Sequence, residues 1–175
     1  MHSKASQHII NIAVLAVMTA LAVVCSGQFP YGLTVRVGEF IKISPIFVII
    51  GVVAATYGVW ESALVAFLSD LIQSLTAGLG VSFALLIINT LIGLCFGFLL
   101  RKPNLLKIII SVLLTQIIGS LILITAVLCI RYGMNFKAII LWRVLQTVIM
   151  ICVEIPVLKL LLINTNLPQK LKSNN

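Results

Sequence analysis

The chain has 175 residues, of which 61% are hydrophobic and 9% are charged, and its mean hydropathy is +1.23. A water-soluble domain of this size cannot bury so much apolar surface, so the composition excludes an ordinary soluble protein. The net charge of +8 does not indicate nucleic-acid binding, because the Lys and Arg residues lie at the ends of apolar runs rather than on one wet face. We therefore expect one integral membrane domain over residues 1–175.

Apolar runs predict an all-α membrane bundle of about six transmembrane helices, since a hydrocarbon core about 30 Å thick needs about 20 apolar residues per span. The predicted spans cover residues 9–25, 43–57, 60–75, 81–100, 108–130 and 138–163. Only Gly58 and Val59 separate the second run from the third, which predicts an antiparallel helical hairpin of two short spans. The segment after the first run carries Arg36, Glu39 and Lys42 and is predicted to be a solvated loop.

The basic residues predict the orientation, because Lys and Arg are retained on the cytoplasmic side of a membrane. With the N-terminus inside, the cytoplasmic side receives Lys4, Arg101, Lys102, Lys107, Lys159, Lys170 and Lys172. The outer side receives the smaller group, Arg36, Lys42, Arg131 and Lys137. We therefore expect a multi-pass protein with both termini in the cytoplasm.

Catalytic and metal chemistry have little support in the sequence. It contains no nucleophile elbow, no zinc-protease motif and no Gly-rich phosphate loop. The four cysteines lie in or beside apolar runs and form no C-x-x-C pair, which favours a role in helix packing. We expect no enzyme activity, no cofactor and no metal site.

Ionisable side chains within the apolar runs indicate a binding site. Each costs about 2.5 to 3.5 kcal/mol near the bilayer centre on insertion scales, so it needs a partner, a water-filled cavity or a ligand. Asp70, late in the third run, and Arg143, early in the sixth, both fall in the outer half. They either pair with each other or with nearby backbone, or they line a cavity, where Arg143 would bind a ligand carboxylate and Asp70 would accept from a ligand N–H group. Glu154 lies deeper, and we expect it to neutralise Lys159 or to face a partner subunit.

Further polar residues extend this candidate site. Arg36 and Lys42 are expected above the same outer cavity, where cations would suit an anionic ligand. Asn89 in the fourth run and Gln116 in the fifth are buried amides that either bridge helices or contact a ligand, and Gln146 in the sixth shares a helix face with Arg143. The predicted ligand-binding residues are Arg36, Lys42, Asp70, Asn89, Arg143 and Gln146.

Several short motifs, taken in order, resemble the substrate-binding S components of energy-coupling factor (ECF) transporters, and the resemblance covers nearly the whole chain. The motifs are the small-residue spacing Ala16-x-x-x-Ala20, residues 41–44 (Ile-Lys-Ile-Ser), residues 57–60 (Tyr-Gly-Val-Trp), Ser69 with Asp70, and Arg143 with Pro156. The resemblance implies a bacterial plasma-membrane protein that binds a vitamin tightly and hands it to an ATP-driven complex. It also implies that Ala16 and Ala20 pack against the transmembrane coupling subunit, which works with a pair of ATPase subunits.

Residues 42–44 and the spacing from Arg143 to Pro156 look most like the folate-type members of that family. This likeness implies that Asp70 or Asn89 contacts a pterin ring and that Arg36, Lys42 or Arg143 contacts the acid groups. The sequence departs from the folate type at residues 48–49, where a Pro is usual, and in the turn after the third run. Pantothenate, riboflavin and a queuosine precursor therefore stay open as ligands.

Two other functions remain open from the sequence. An ion-coupled secondary transporter would accumulate substrate by itself, although the paired broken helices of inverted repeats are not evident here. A membrane scaffold or assembly factor would bind no small molecule, and its buried polar residues would pair with one another.

Overall fold

A computed structural model of the chain describes residues 2–26, 34–37, 41–76, 81–101, 103–133 and 136–164. Within these residues the chain forms six helices and one short two-stranded ribbon. Predictions on Glu39, Lys102, Lys170 and Lys172 lie outside the described residues.

The six helices confirm the all-α membrane bundle predicted from the apolar runs. Helix α1 covers His2–Ser26, α2 Ile46–Thr56, α3 Val59–Thr76 and α4 Phe83–Leu100. Helix α5 covers residues 105–132 and consists of three segments, Leu105–Leu114, the π-helical Thr115–Ile124 and Thr125–Tyr132. Helix α6 covers residues 136–164 and consists of Phe136–Lys159 followed by the π-helical Leu160–Asn164. Several helices extend beyond the predicted runs, because an apolar run marks the part in hydrocarbon and a helix can continue into its polar flanks.

A two-stranded ribbon replaces the loop predicted between the first and second helices. Strands β1 (Val35–Val37) and β2 (Ile41–Ile43) are antiparallel, and the register sets Arg36 opposite Lys42. The alternation Val-Arg-Val and Ile-Lys-Ile has the period of two that a strand requires, and this was the available sequence signal. The loop prediction is therefore corrected for these six residues.

The chain is a multi-pass membrane protein. Among the described residues, four helical segments are long and apolar enough to cross a membrane, namely Ile9–Ser26, Phe83–Leu100, Leu105–Ile130 and Ile139–Asn164. Their outward side chains suit lipid, since Phe98 is 72% exposed and Ile130 is 85% exposed. Helix α2 has 11 residues, about 16 Å of helix, and its residues 50–56 are all buried. It is therefore an interior helix enclosed by the longer ones.

Helices α2 and α3 form the predicted antiparallel hairpin. Gly58 joins them at φ +123°, a backbone conformation that residues with a Cβ rarely adopt. Helix α3 then packs closely on α4, because Gly93 and Gly97 present no side chain to it. A Cβ at Gly97 would lie 2.5 Å from Val59 Cα, so these two backbones are in direct contact.

Candidate ligand-binding site

A cavity of about 180 Å³ lies inside the bundle, bounded by residues of all six helices. This volume is many times what one water molecule occupies. Because the chain alternates direction from helix to helix, the C-terminal end of α1 and the N-terminal end of α2 lie at the same end of the bundle as the ribbon. The lining residues run from this ribbon end into the middle of the bundle.

The mouth of the cavity is fixed by side chains that satisfy the last carbonyl groups of α1. Ser44 Oγ and Thr34 Oγ1 both donate to Cys25 O, over 2.9 and 3.0 Å. Gln73 Nε2 donates to Ser26 O. Ser26, Ser44 and Gln73 all line the cavity, so these hydrogen bonds connect α1, α3 and the ribbon around its opening.

Three predicted ligand-binding residues line the cavity below the mouth, namely Asp70, Asn89 and Gln146. Asp70 stands six residues before the end of α3 and Asn89 six residues after the start of α4, so both lie about 9 Å from the ribbon end. The structure thus brings together side chains from α3, α4 and α6, as the sequence predicted. Their contact with a ligand stays a prediction.

The floor of the cavity is a hydrogen-bonded pair from α5 and α6. Gln116 Nε2 donates to Glu154 Oε1 over 2.6 Å, and both residues line the cavity. Each lies more than about 20 Å along its helix from the ribbon end. Glu154 is 2% exposed, and its second oxygen, Oε2, has no hydrogen-bond partner within the described part of the chain.

The expected role of Glu154 was wrong. It does not neutralise Lys159, which is exposed, and it faces the bundle interior rather than a partner surface. Five residues along a helix correspond to about 500°, so Glu154 and Lys159 lie on different helix faces, unlike residues three or four apart. A lone carboxylate with no Lys or Arg three or four residues away was the signal that could have identified it as a cavity residue.

Apolar side chains form the walls between the mouth and the floor. Phe47 and Ile50 come from α2, Phe96 from α4, Ile124 from α5 and Met150 from α6. Phe47 and Phe96 are both buried. The cavity therefore combines apolar walls with a few polar groups at defined depths, which is typical of small-molecule sites. Sequence reasoning missed these aromatic residues, since an aromatic in an apolar run carries no mark of a cavity.

Of the three cationic residues predicted for the site, Arg143 is the one whose side chain the structure describes. Arg143 does not line the cavity, although its Nη1 donates to Gln146 Oε1 over a long 3.4 Å. Arg143 therefore contacts a residue of the cavity wall, Gln146, rather than the cavity itself. Arg36 and Lys42 belong to the ribbon, and their side chains lie outside the described residues. Direct contact of these three with a ligand stays a prediction.

Ala16 and Ala20, predicted to face a partner, are both exposed on α1. The large apolar side chains Val17, Leu21 and Val24 are exposed around them. This face of α1 is therefore available to lipid or to another protein.

Comparison with known proteins gives a counterpart for the fold. No protein-family model matches the sequence, and no curated protein is significantly similar to it. The crystal structure of FolT bound with folic acid matches with a TM-score of 0.77 and 22% sequence identity, over 86% of this chain and 91% of that chain. The fold predicted from the resemblance to folate-type S components is thereby confirmed.

Proposed function

We propose that this chain is the membrane-embedded substrate-binding subunit of an ECF importer and that folate, or a closely related micronutrient, binds in its cavity. The observation that carries the proposal is the fold, shared with FolT over most of both chains. The cavity supports it, because polar side chains from several helices converge there between apolar walls. Residues 1–175 would act as one binding domain that releases its ligand chemically unchanged.

The proposed ligand has chemistry that the cavity can complement. The flat ring of a folate would lie between apolar walls that include Phe47 and Phe96, in reach of polar groups such as Asn89. Its acid groups would point toward the ribbon end, where Arg36 and Lys42 are paired in the register of the ribbon. Cations at the mouth would also attract an anionic vitamin from solution.

We orient the bundle with the ribbon end outside and both termini in the cytoplasm of a bacterial cell. The described residues Arg101, Lys107 and Lys159 support this orientation, since they lie at helix ends remote from the ribbon. The cavity would then open to the outside.

The proposed complex supplies the energy that this chain cannot generate, because its sequence has no phosphate-binding loop for a nucleotide. A transmembrane coupling subunit would bind the exposed face of α1 at Ala16 and Ala20. Small residues at this spacing allow close approach of a second helix in lipid. A pair of ATPase subunits would complete the importer.

The test is ligand identification followed by titration. We would purify the chain in detergent, identify co-purified small molecules by mass spectrometry, and titrate the emptied protein with folic acid, pantothenate, riboflavin and a queuosine precursor. Asn89→Leu should weaken folic acid binding at least about tenfold, because it removes a polar contact inside the cavity. The matched control Asn164→Leu, at the exposed far end of α6, should bind like the wild type.

Two results would contradict the proposal. Ion-driven accumulation of a vitamin in vesicles that contain this chain alone would identify a secondary transporter. Absence of any bound or titratable vitamin would favour a membrane scaffold.

A further inference from the structure

We infer that Glu154, held in place by Gln116, is the recognition group for the N–H edge of a flat nitrogen heterocycle at the floor of the cavity. The edge meant here is an amino group beside a ring N–H, as in a 2-amino-4-oxopyrimidine ring. This inference deepens the proposed function and rests on it, since it names the part of the ligand that enters first.

The geometry of Glu154 carries the inference. Its side chain is buried and lines the cavity, Oε1 is held by Gln116, and Oε2 has no partner in the described part of the chain. Buried polar atoms are nearly always hydrogen-bonded, so an unpaired carboxylate oxygen at a cavity wall calls for a donor from a ligand. A carboxylate also accepts two parallel N–H bonds from neighbouring donors, as it does from a guanidinium group. The amino group and ring N–H of an aminopyrimidinone present the same pair of donors.

Gln116 is the positioning residue of this site. Its Nε2 donates to Glu154 Oε1 over 2.6 Å, which fixes the carboxylate and leaves Oε2 toward the ligand. Gln116 lies in the π-helical segment Thr115–Ile124 of α5, and both ends of this segment line the cavity together with Ser120. Wide helical turns of this kind occur frequently at functional sites.

The charge of the cavity wall agrees with a donor-rich ligand edge. Asp70 and Glu154 are the acidic residues of the wall, and no Lys or Arg is among the described residues that line it. A ligand carboxylate would be repelled from such a floor, whereas N–H groups would be attracted. An anionic vitamin must therefore enter ring first, with its acid groups left near the ribbon. The ring then extends below Asp70 and Asn89 to Glu154.

The inference separates the candidate vitamins by chemistry. A pterin and a 2-amino-4-oxo deazapurine both carry the required edge. Pantothenate has no aromatic ring, and the corresponding edge of riboflavin has its N–H between two carbonyl oxygens, which a carboxylate would oppose. Folate and a queuosine precursor are therefore favoured over the other two.

The experiment removes the interaction from each side in turn. We would titrate three proteins, the wild type, Glu154→Gln and the matched control Glu61→Gln, with folic acid and with its 2-desamino-2-methyl analogue. Glu61 is a suitable control because it lies in the first turn of α3, outside the cavity lining. Glu154→Gln should weaken folic acid binding about ten- to hundredfold, because hydrogen bonds to charged groups are the stronger ones. Its effect on the analogue should be within about threefold, because that ligand lacks the amino donor and its remaining ring N–H can still donate to the carbonyl oxygen of the introduced glutamine. Glu61→Gln should match the wild type for both ligands.

The outcomes distinguish this inference from the proposed function. Equal weakening of both ligands by Glu154→Gln, or no weakening of either, would overturn the inference while folate binding stands. If Glu154→Gln does not fold, the wild type alone decides, since it should bind the analogue at least about tenfold more weakly than folic acid.

If the wild type binds no folate, titration with guanine and 7-deazaguanine bases tests the inference separately. Binding of such a base, lost in Glu154→Gln, would retain the recognition site and reject folate. Binding of neither class would reject both.

Discussion

The interface between α3 and α4 and the interface between α5 and α6 are built in opposite ways. At the first, Gly93 and Gly97 let two backbones touch, and the Ser62 hydroxyl shares its hydrogen bond between Gly93 O across the contact and Val59 O in its own helix, each at 2.9 Å. At the second, Gln116 and Glu154 hold two helices together through long polar side chains at the floor of a cavity. Close packing at the first interface stabilises the bundle, whereas the second interface leaves room for a ligand.

The difference follows from the physics of helices in lipid. Lipid tails are as apolar as leucine, so helices associate through close packing and hydrogen bonds rather than through a hydrophobic force. Glycine maximises packing at α3 and α4. A buried carboxylate and amide exclude such contact, but they provide directional groups that a ligand can use.

The largest effect on the free energy of unfolding is expected when a side chain is added at Gly97, where α3 and α4 are in contact. Gly97→Ala should destabilise the folded bundle by about 3 kcal/mol, the upper part of the range for overpacking, because the new Cβ would lie 2.5 Å from Val59 Cα and 2.6 Å from Ser62 Oγ. Gly51→Ala is the matched control, since its nearest neighbour is the movable Leu158 Cδ2 at 2.7 Å, and it should cost less than about 1 kcal/mol. Unfolding in detergent measures both. Equal costs would show that backbone contact does not distinguish the α3–α4 interface.

An intermediate effect is expected from breaking the polar pair of the other interface. Gln116→Leu should destabilise the ligand-free protein by about 2 kcal/mol, because it leaves the Glu154 carboxyl group buried without its partner. The double variant Gln116→Leu with Glu154→Leu should recover most of that loss, since apolar residues replace both partners. With the wild type and the single variant Glu154→Leu, the four unfolding free energies form a double-mutant cycle, and additive effects would contradict the coupling.

The smallest effect is expected from the hydroxyl group that crosses the α3–α4 interface. Ser62→Ala should cost about 0.6 kcal/mol, the average for hydrogen bonds between membrane helices. Ser69→Ala is the control, because its hydroxyl donates to Ala66 O within its own helix over 3.0 Å, and it should be nearly neutral. A larger cost for Ser69→Ala than for Ser62→Ala would contradict the assignment of the hydrogen bond to the interface.

The candidate site was partly predictable from single residues. Asp70, Asn89 and Gln146 were selected because polar groups are costly in hydrocarbon, and all three line one cavity. Arg143 was selected by the same rule, yet it reaches the cavity through Gln146. The free-energy cost of a polar side chain in hydrocarbon therefore identifies residues that need a partner. It does not show whether that partner is a ligand or a neighbouring side chain.

The pairing of Glu154 with Gln116 shows why the remainder of the site was not predictable. The position of Glu154 along α6 gives its depth, whereas its partner Gln116 is 38 residues away in sequence. The π-helical turns of α5 also depend on contacts that no local pattern specifies. Each of these features decides which groups reach the cavity.

Hydropathy and glycine conformation act locally, so the amino-acid sequence was enough to predict the membrane location, the approximate positions of the helices and the turn between α2 and α3 at Gly58. The position of Glu154 at the floor of a cavity and the contact of α3 with α4 at Gly97 depend instead on how the helices pack. The physical reason is that the direction of a side chain depends on how its helix is rotated against its neighbours, and that rotation is fixed by packing over the whole bundle.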